Sequence, residues 1–132
     1  YDTRLSMAGN HDVIDCLVLI LESDIFNWIK IESLNVLAEL ASCEQTDSTV
    51  FPIERSIDAL SNCLHSSENK IKESSVRVLL NLSTAMKNRQ FLGKRNDTIG
   101  VLLYFSSLHE DGSEGKRKLA IGTLGNLSAC DD

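Results

Sequence analysis

Apolar residues recur along this chain in two short patterns, each of which appears three times. The longer pattern joins a basic residue to three aliphatic residues and a small one, with copies 42 residues (30 to 72) and 45 residues (72 to 117) apart. The copies are Lys30, Leu34, Leu37, Leu40 and Ala41; Lys72, Val76, Leu79, Leu82 and Ser83; and Arg117, Ile121, Leu124, Leu127 and Ser128. Self-similarity at this period indicates stacked helical repeats.

A shorter apolar pattern precedes each copy of the longer one. Its copies lie 43 residues (14 to 57) and 44 residues (57 to 101) apart. They are Ile14, Leu17 and Leu21; Ile57, Leu60 and Leu64; and Val101, Tyr104 and Leu108. Each repeat is therefore expected to contain a shorter helix followed by a longer one, and to bury its apolar side against the next repeat.

The spacing of apolar residues predicts helices over residues 12–21, 24–42, 53–64, 70–86, 88–92, 98–108 and 116–130. Asp24 is the expected N-cap of the second helix, and Pro52 is expected to sit in the first turn of the third. No segment alternates like a strand. The sequence thus predicts an all-α domain over residues 1–132, with repeats at 1–43, 44–87 and 88–132 and a polar boundary at 45–52.

Composition narrows the class of function. The net charge is −6, which disfavours nucleic acid as the main ligand, and the basic clusters at 94–95 and 116–118 are interpreted as solvated turns. No apolar run approaches the roughly 18 residues of a membrane span, and no signal peptide is recognisable. We expect an intracellular protein, nuclear or cytoplasmic, without membrane association. Because the chain starts at Tyr1 and stops just after a repeat element, we also expect a longer parent protein.

The residues that usually carry chemistry are scattered. Four cysteines, Cys16, Cys43, Cys63 and Cys130, show no C-x-x-C spacing and are predicted to be reduced thiols that pack in apolar helices. Three histidines lie far apart in sequence, and two of them occupy equivalent repeat positions. We find no metal-ligand spacing, phosphate loop or nucleophile motif. The sequence therefore predicts a non-enzymatic protein without a cofactor or metal.

The stretch from Asn88 to the last residue resembles one complete armadillo repeat. Its last helix contains Leu124-Gly125-Asn126-Leu127-Ser128, and the preceding repeat contains Leu79-Leu80-Asn81-Leu82-Ser83. The first repeat departs from this motif, with Glu39 in place of the asparagine, and for the first 50 residues the related HEAT-type repeats stay open as an alternative. The resemblance implies a right-handed α-solenoid of about three repeats, whose third helices line a concave groove.

Independently of the resemblance, each long helix carries one stripe at helical spacing. The stripes are Trp28, Glu32, Asn35, Glu39 and Ser42; Ser74, Arg77, Asn81, Thr84 and Asn88; and Leu119, Gly122, Asn126 and Ala129. From the first long helix to the third, the residues of the stripe change from acidic and aromatic, through arginine and asparagine, to small. The candidate groove residues are Trp28, Glu32, Asn35, Glu39, Arg77, Asn81, Thr84 and Asn126.

Two groups of these residues have competing interpretations. The resemblance implies that Asn81 and Asn126 hydrogen-bond the backbone of an extended peptide, and the alternative is that each braces neighbouring helices. Trp28 is either an exposed binding hot spot or a side chain packed against the adjoining repeat.

Nuclear-import receptors of the armadillo family place a tryptophan one turn before the asparagine, where this chain has Arg77 and Gly122. The aromatic slots for a basic signal are therefore absent.

The favoured function is a non-catalytic protein–protein interaction scaffold that receives an extended peptide or a partner subunit in the groove. The first alternative is a structural hub subunit of a large nuclear assembly, such as a SWI/SNF-type chromatin-remodelling complex. The second alternative is a nuclear transport adaptor. Because helical arrays need polar capping repeats to stay soluble, uncovered end repeats are also expected to favour self-association.

Overall fold

The described part of the chain is built from helices and the turns between them. A computed structural model describes residues 11–42 and 53–129, which contain seven α-helices and no strand. The helices are α1 (His11–Glu22), α2 (Asn27–Ala41), α3 (Ile53–Leu64), α4 (Asn69–Leu82), α5 (Met86–Leu92), α6 (Asn96–Ser106) and α7 (Glu114–Ser128). The all-α class is confirmed for these residues, none of whose helices is long and apolar enough to cross a membrane. The predicted boundary at 45–52 lies outside the described ranges.

The second helix begins later than predicted. Asp24 is the expected N-cap, but α2 starts at Asn27 after Phe26, whose backbone is extended and whose side chain makes no capping hydrogen bond. A side-chain cap contributes only about 1 kcal/mol. Here two further non-helical residues, Ile25 and Phe26, lead the chain from α1 into α2, so the capping preference of Asp24 does not decide where the helix starts.

The fourth helix, predicted to reach Met86, ends four residues earlier. The Ser83 and Thr84 hydroxyls donate hydrogen bonds of 2.7 Å to the carbonyl oxygens of Leu80 and Asn81, respectively. Serine and threonine side chains that bond to nearby backbone groups compete with continuation of a helix. The chain therefore turns at this point, and Met86 becomes the first residue of α5.

The helices form two rows that pack on each other. In one row α1 contacts α3, and α3 contacts α6; in the other, α2 contacts α4, and α4 contacts α7. The rows are joined by the pairs α1 with α2, α3 with α4, and α6 with α7, while the short helix α5 lies against α7. Each pair of helices thus packs mainly on the pairs before and after it, as repeating units do.

Successive long helices run in the same direction. Near the start of both helices, Lys116 of α7 donates to the Oδ1 atom of Asn69 in α4 over 3.3 Å. Near their ends, Asn126 donates to the Oγ atom of Ser83 over 2.9 Å. Because the contact positions advance together along both helices, α4 and α7 pack parallel to each other over their whole length.

The first two copies of the longer pattern form the centre of the core. Leu34, Leu37, Leu40, Val76, Leu79 and Leu82 are all fully buried. The third copy is different, because Leu124 and Leu127 are only partly buried and Ile121 is 53% exposed. The repeat pattern therefore predicts the core correctly in the two repeats that are followed by another described repeat, whereas no described helix follows the third.

The shorter pattern is displaced by one residue in the third repeat. Leu102 and Phe105 are the buried apolar residues of α6, whereas Tyr104, one of the predicted positions, is 61% exposed. Leu102 and Phe105 lie 45 residues after Ile57 and Leu60, which is also the offset between α4 and α7. The predicted offset of 44 was therefore wrong by one position for this helix.

The cysteines differ in their surroundings. Cys63 and Cys16 are both free thiols, but Cys63 is buried and Cys16 is exposed. Burial raises the pKa of the Cys63 thiol above its ordinary value, against opposing effects from Ser75 and Lys30. The packing prediction is confirmed for Cys63 and wrong for Cys16, while Cys43 and Cys130 lie outside the described residues.

We expect iodoacetamide to modify Cys16 at least about tenfold faster than Cys63 in the folded protein, because the reactive species is an accessible thiolate. Peptide mapping by mass spectrometry after timed alkylation would measure the two rates separately. In urea the rates should converge, which provides the control. Equal rates in native buffer would contradict the buried position of Cys63.

Candidate functional site

All eight predicted groove residues are at least partly exposed to solvent. Trp28 is 65% exposed, and the other exposed members are Glu32, Asn35, Glu39, Arg77 and Thr84. Asn81 and Asn126 are partly buried. Two further members of the sequence stripe, Ser74 and Asn88, are buried, so they are unavailable to a partner. The structure thus places the eight candidates on the surface of one row of helices, α2, α4 and α7.

These eight residues lie on two different sides of their helices. Trp28, Asn35, Arg77 and Thr84 occupy positions that stay exposed in both α2 and α4, and we call these four the exposed ridge. The other four are Glu32, Glu39, Asn81 and Asn126. Because Asn81 and Asn126 contact the preceding long helix, we call the side of each helix that carries these positions the approach face.

The two asparagines connect neighbouring repeats. The Nδ2 atom of Asn81 donates to the carbonyl oxygen of Ala38 in α2 over 2.8 Å. Asn126, 45 residues after Asn81, donates from α7 to the hydroxyl of Ser83, the residue that follows α4. The two donors are equivalent in the repeat, but the acceptors are not, because Ala38 corresponds to Leu80. The bracing interpretation of the asparagines is therefore what the described contacts support, and no contact tests the peptide-binding interpretation.

Replacing either asparagine by alanine is expected to lower the free energy of unfolding by about 0.5–1.5 kcal/mol, the usual contribution of one hydrogen bond. The Ala38 carbonyl also accepts from the backbone N–H of Ser42, so it is not left without a donor. Asn81→Ala plus Asn126→Ala should cost roughly the sum, because the sites are separate. Urea unfolding of the variants measures this, with exposed Asn35→Ala as control. Unchanged stability would show that the amides brace nothing.

Trp28 belongs to an exposed apolar patch at the start of α2. Phe26, two residues earlier, is even more exposed, and Ile25 is also partly accessible. Asp24, Ile25, Phe26 and Asn27 line a surface depression at this point. The alternative that Trp28 packs against an adjoining repeat is not realised within the described chain. Sequence analysis overlooked Phe26, although an aromatic residue in the predicted first turn of a helix could have marked it.

Carboxylates surround this patch. Glu32 lies one turn after Trp28 in α2, on the adjoining approach face, and Asp24 lies just before the helix; both are exposed. Their negative potential adds to the overall charge of −6, and the face of a tryptophan ring attracts cations. The surface around Trp28 is therefore suited to a positively charged side chain rather than to an acidic one.

Most basic side chains of the two clusters, at 94–95 and 116–118, make hydrogen bonds or ion pairs within the protein. Arg95 pairs with Asp58 of α3 at 3.0 Å, and Lys118 pairs with Glu114 at 3.0 Å. Arg117 donates to a backbone carbonyl of the α6–α7 connection over 2.8 Å. These clusters therefore do not form a continuous basic patch of the kind that binds phosphates.

Lys116 is a buried cation at the α4–α7 junction. Its Nζ atom lies 4.9 Å from the centre of the Phe105 ring, in addition to its hydrogen bond with Asn69. Burial lowers the pKa of Lys116 below its ordinary value, and the positive charge of Lys72 lowers it further. Sequence analysis treated Lys116 as part of a solvated turn, and that interpretation was wrong because α7 begins two residues earlier and turns this side chain inward.

The pKa of Lys116 predicts how its contribution to stability changes with pH. Since the folded pKa is lower than the unfolded one, the unfolded chain binds this proton more tightly, so stability rises as pH increases through the folded value. As pH rises towards about 10.4, the unfolded pKa of lysine, the free energy of unfolding of the wild type should increase relative to that of Lys116→Met. Urea unfolding across this range measures the difference. A flat or falling difference would contradict the assignment.

The described ranges were also searched for side chains grouped as metal ligands. Within residues 11–42 and 53–129, no three His, Cys, Asp or Glu side chains are grouped so that they could hold a metal ion. Comparison of the chain with protein-family models, with curated proteins and with solved structures gave no match. The exposed ridge and the approach face are therefore the two features of this chain from which a function can be inferred.

Proposed function

We propose that this chain is a non-catalytic protein-interaction scaffold of armadillo type, a right-handed solenoid that binds an extended peptide or a partner subunit across its long helices. The observation that carries the proposal is the exposed ridge. Trp28 and Arg77, two side chains well suited to interface hot spots, stand on neighbouring helices that pack on each other. The two rows of packed helices support a solenoid. The hydrogen bonds that Asn81 and Asn126 make towards the preceding long helix support repeating units.

The geometry of the ridge suits an extended partner. Neighbouring helices are typically about 8–10 Å apart, and an extended chain covers about 3.3 Å per residue. A peptide that crosses α2, α4 and α7 therefore needs roughly six or seven residues to reach from the first helix to the third. Its side chains would meet carboxylates and an indole at α2 and a guanidinium at α4. The expected partner is basic where it meets Trp28 and polar or acidic where it meets Arg77.

A structural hub within a large nuclear assembly, such as a SWI/SNF-type chromatin-remodelling complex, is the second candidate. The observation that favours a hub is the exposure of Leu103 and Ile121 on the last two described helices, because a permanently assembled subunit covers such residues. A nuclear transport adaptor has weaker support. A Cβ atom at Gly122 would come within 3.2 Å of the Leu80 side chain, so the tryptophan that import receptors place there would require Leu80 to move.

Selection from a displayed library of random peptides tests the proposed groove. We expect the immobilised wild-type chain to enrich extended sequences with a lysine or arginine next to polar residues. The same peptides should be lost when the bait carries Trp28→Ala or Arg77→Ala. Leu19→Ala is a matched control, because Leu19 is as exposed as Trp28 but lies on α1, in the other row of helices. Failure to enrich any family of peptides, or equal enrichment by the ridge variants, would contradict the groove.

A further inference from the structure

The connection between α1 and α2 is exposed along its whole length and carries large apolar residues. Residues 22–28 are all exposed, and Phe26 reaches 72%. The corresponding connection between α3 and α4, residues 65–68, contains only polar side chains. Because exposed apolar residues that cluster together often mark an interaction site, the first connection differs from an ordinary solvated turn. We call Ile25, Phe26 and Trp28 the connection patch.

The exposure of the connection patch does not result from its place at one end of the described helices. The longer pattern has an interval of 42 residues between α2 and α4, so the equivalents of the three patch residues are Ser67, Glu68 and Lys70. A long helix packs on each side of α4, namely α2 and α7. Ser67 and Lys70 are nevertheless exposed, and Glu68 is partly exposed. A further pair of helices stacked on α2 would therefore leave the connection patch accessible.

Negative charge surrounds the connection patch. Three exposed carboxylates flank it, and none of them forms an ion pair within the described residues: Glu22, Asp24 and Glu32. Lys30, the one basic residue of residues 11–42, lines another depression, which α3 and α4 also line. The connection patch thus has an apolar centre with uncompensated carboxylates before and after it along the chain.

The same sign of charge extends over the whole first pair of helices. Residues 11–42 contain six acidic residues and one lysine, a net charge of −5. Residues 53–129 contain eight acidic and eleven basic residues, a net charge of +3. A field of one sign over a surface attracts partners of the opposite sign and repels those of the same sign. The connection patch is therefore attractive to a cationic segment and repels phosphate-rich surfaces.

We propose that the connection patch binds a short segment of a partner protein in which a large apolar residue is flanked on both sides by lysine or arginine. The apolar residue enters the depression that Ile25 and Phe26 line. The cations lie against the carboxylates and over the indole of Trp28. This inference rests on the function proposed above, since Trp28 belongs both to the exposed ridge and to the connection patch, but it places the partner at the connection before α2.

A second copy of this chain fits the connection patch less well. Residues 87–95 have a similar composition, with basic residues on both sides of Phe91 and Leu92. Leu92 is only 1% exposed, however, and Arg89 and Arg95 are engaged within their own chain, in hydrogen bonds to backbone carbonyls and in ion pairs, respectively. The apolar part of this segment is therefore unavailable to another copy, which favours a different protein as the partner.

Three fluorescein-labelled peptides test the chemistry of the partner. The first is Gly-Lys-Lys-Leu-Lys-Lys-Gly, the second has glutamate in place of every lysine, and the third has alanine in place of the leucine. Fluorescence anisotropy with the wild-type chain measures the three affinities. The first peptide should bind at least about tenfold more tightly than either of the others, because only it offers both cations and a large apolar side chain. Its affinity should fall as salt is added, since exposed charges are screened.

Variants of the chain locate the bound peptide. Phe26→Ala should weaken binding of the first peptide at least about fivefold, as expected for a contacting aromatic side chain, and Asp24→Asn should weaken it in the same direction. Met86→Ala is the matched apolar control, because Met86 is 50% exposed and lies beyond the end of α4. Glu54→Gln, an exposed carboxylate at the start of α3, is the control for charge. Both controls should bind as the wild type does.

Several outcomes would overturn the proposal. They are equal binding of the lysine and glutamate peptides, no binding of any peptide, and equal losses in the variants and their controls. Loss of binding in Arg77→Ala but not in Phe26→Ala would place the peptide along the exposed ridge, which overturns this inference and leaves the proposed function standing. Phe26-dependent dimerisation of the chain, measured by sedimentation, would assign the connection patch to a second copy and would overturn it as well.

Discussion

Leu82→Ala is expected to lower the free energy of unfolding by about 2–5 kcal/mol, the range for large-to-small substitutions at buried aliphatic positions. Leu82 is 0% exposed and lies in the last turn of α4, the helix that contacts α2, α3 and α7. Neighbours on three sides cannot all close on the space that the side chain leaves, so a cavity remains. A single small domain is stable by only about 5–15 kcal/mol, which makes this loss a large fraction of the total.

Leu127→Ala is the matched control for this cavity. Leu127 lies 45 residues after Leu82 at the same position of the repeat, but it is only partly buried. Its truncation should therefore cost clearly less, because water already reaches part of the side chain. Urea unfolding followed by circular dichroism measures both variants. Equal losses at the two positions would show that α7 is covered as completely as α4, against the 53% exposure of Ile121.

Trp28→Ala should weaken binding of a peptide selected on the wild-type chain by about 30-fold or more, which corresponds to the roughly 2 kcal/mol of an interface hot spot. The same substitution should change the free energy of unfolding by less than about 0.5 kcal/mol, as is usual for exposed positions. These two results together would separate a binding role from a structural one. Calorimetric titration gives the affinity, and circular dichroism in urea gives the stability.

The wild-type chain also offers a direct signal for this test. Trp28 is the single tryptophan of the sequence, so a change in its fluorescence on adding peptide reports occupation of the surface around it. Leu19→Ala should leave both the fluorescence change and the affinity as in the wild type. Full affinity in Trp28→Ala would remove this residue from the binding surface. Loss of affinity in the Leu19 variant would instead indicate an effect that is not specific to the ridge.

Periodicity predicted the existence and order of the helices well, but not their ends. Apolar residues at helical spacing, such as Leu34 and Val76, must be buried whatever the loops do, so they locate each helix reliably. Helix ends depend on weaker and more local contacts. The hydroxyls of Ser83 and Thr84 bond to carbonyls of the last turn of α4, and a search for apolar spacing cannot detect such bonds.

The candidate site was predicted as a set of residues but not as a surface. Helical spacing grouped Trp28 with Glu32 and Arg77 with Asn81, because residues three or four apart are neighbours on a helix. It could not show that the second member of each pair lies on the approach face, since that depends on where the preceding helix packs. The one-residue displacement of α6 has a similar origin, because Val101 and Leu102 are both apolar and only the packing of α6 decides which of the two is fully buried.

The row of long helices has a consequence for how this molecule unfolds. Within the described ranges both end pairs of helices have a neighbouring pair on one side only, but the leucines of the longer pattern are fully buried in α2 and only partly buried in α7. Partial unfolding should therefore begin with α6 and α7 and spread inward, so that amide hydrogens of α7 exchange with solvent sooner than those of α4. Trp28 would keep its surroundings during such an event, since its helix packs mainly on α1 and α4.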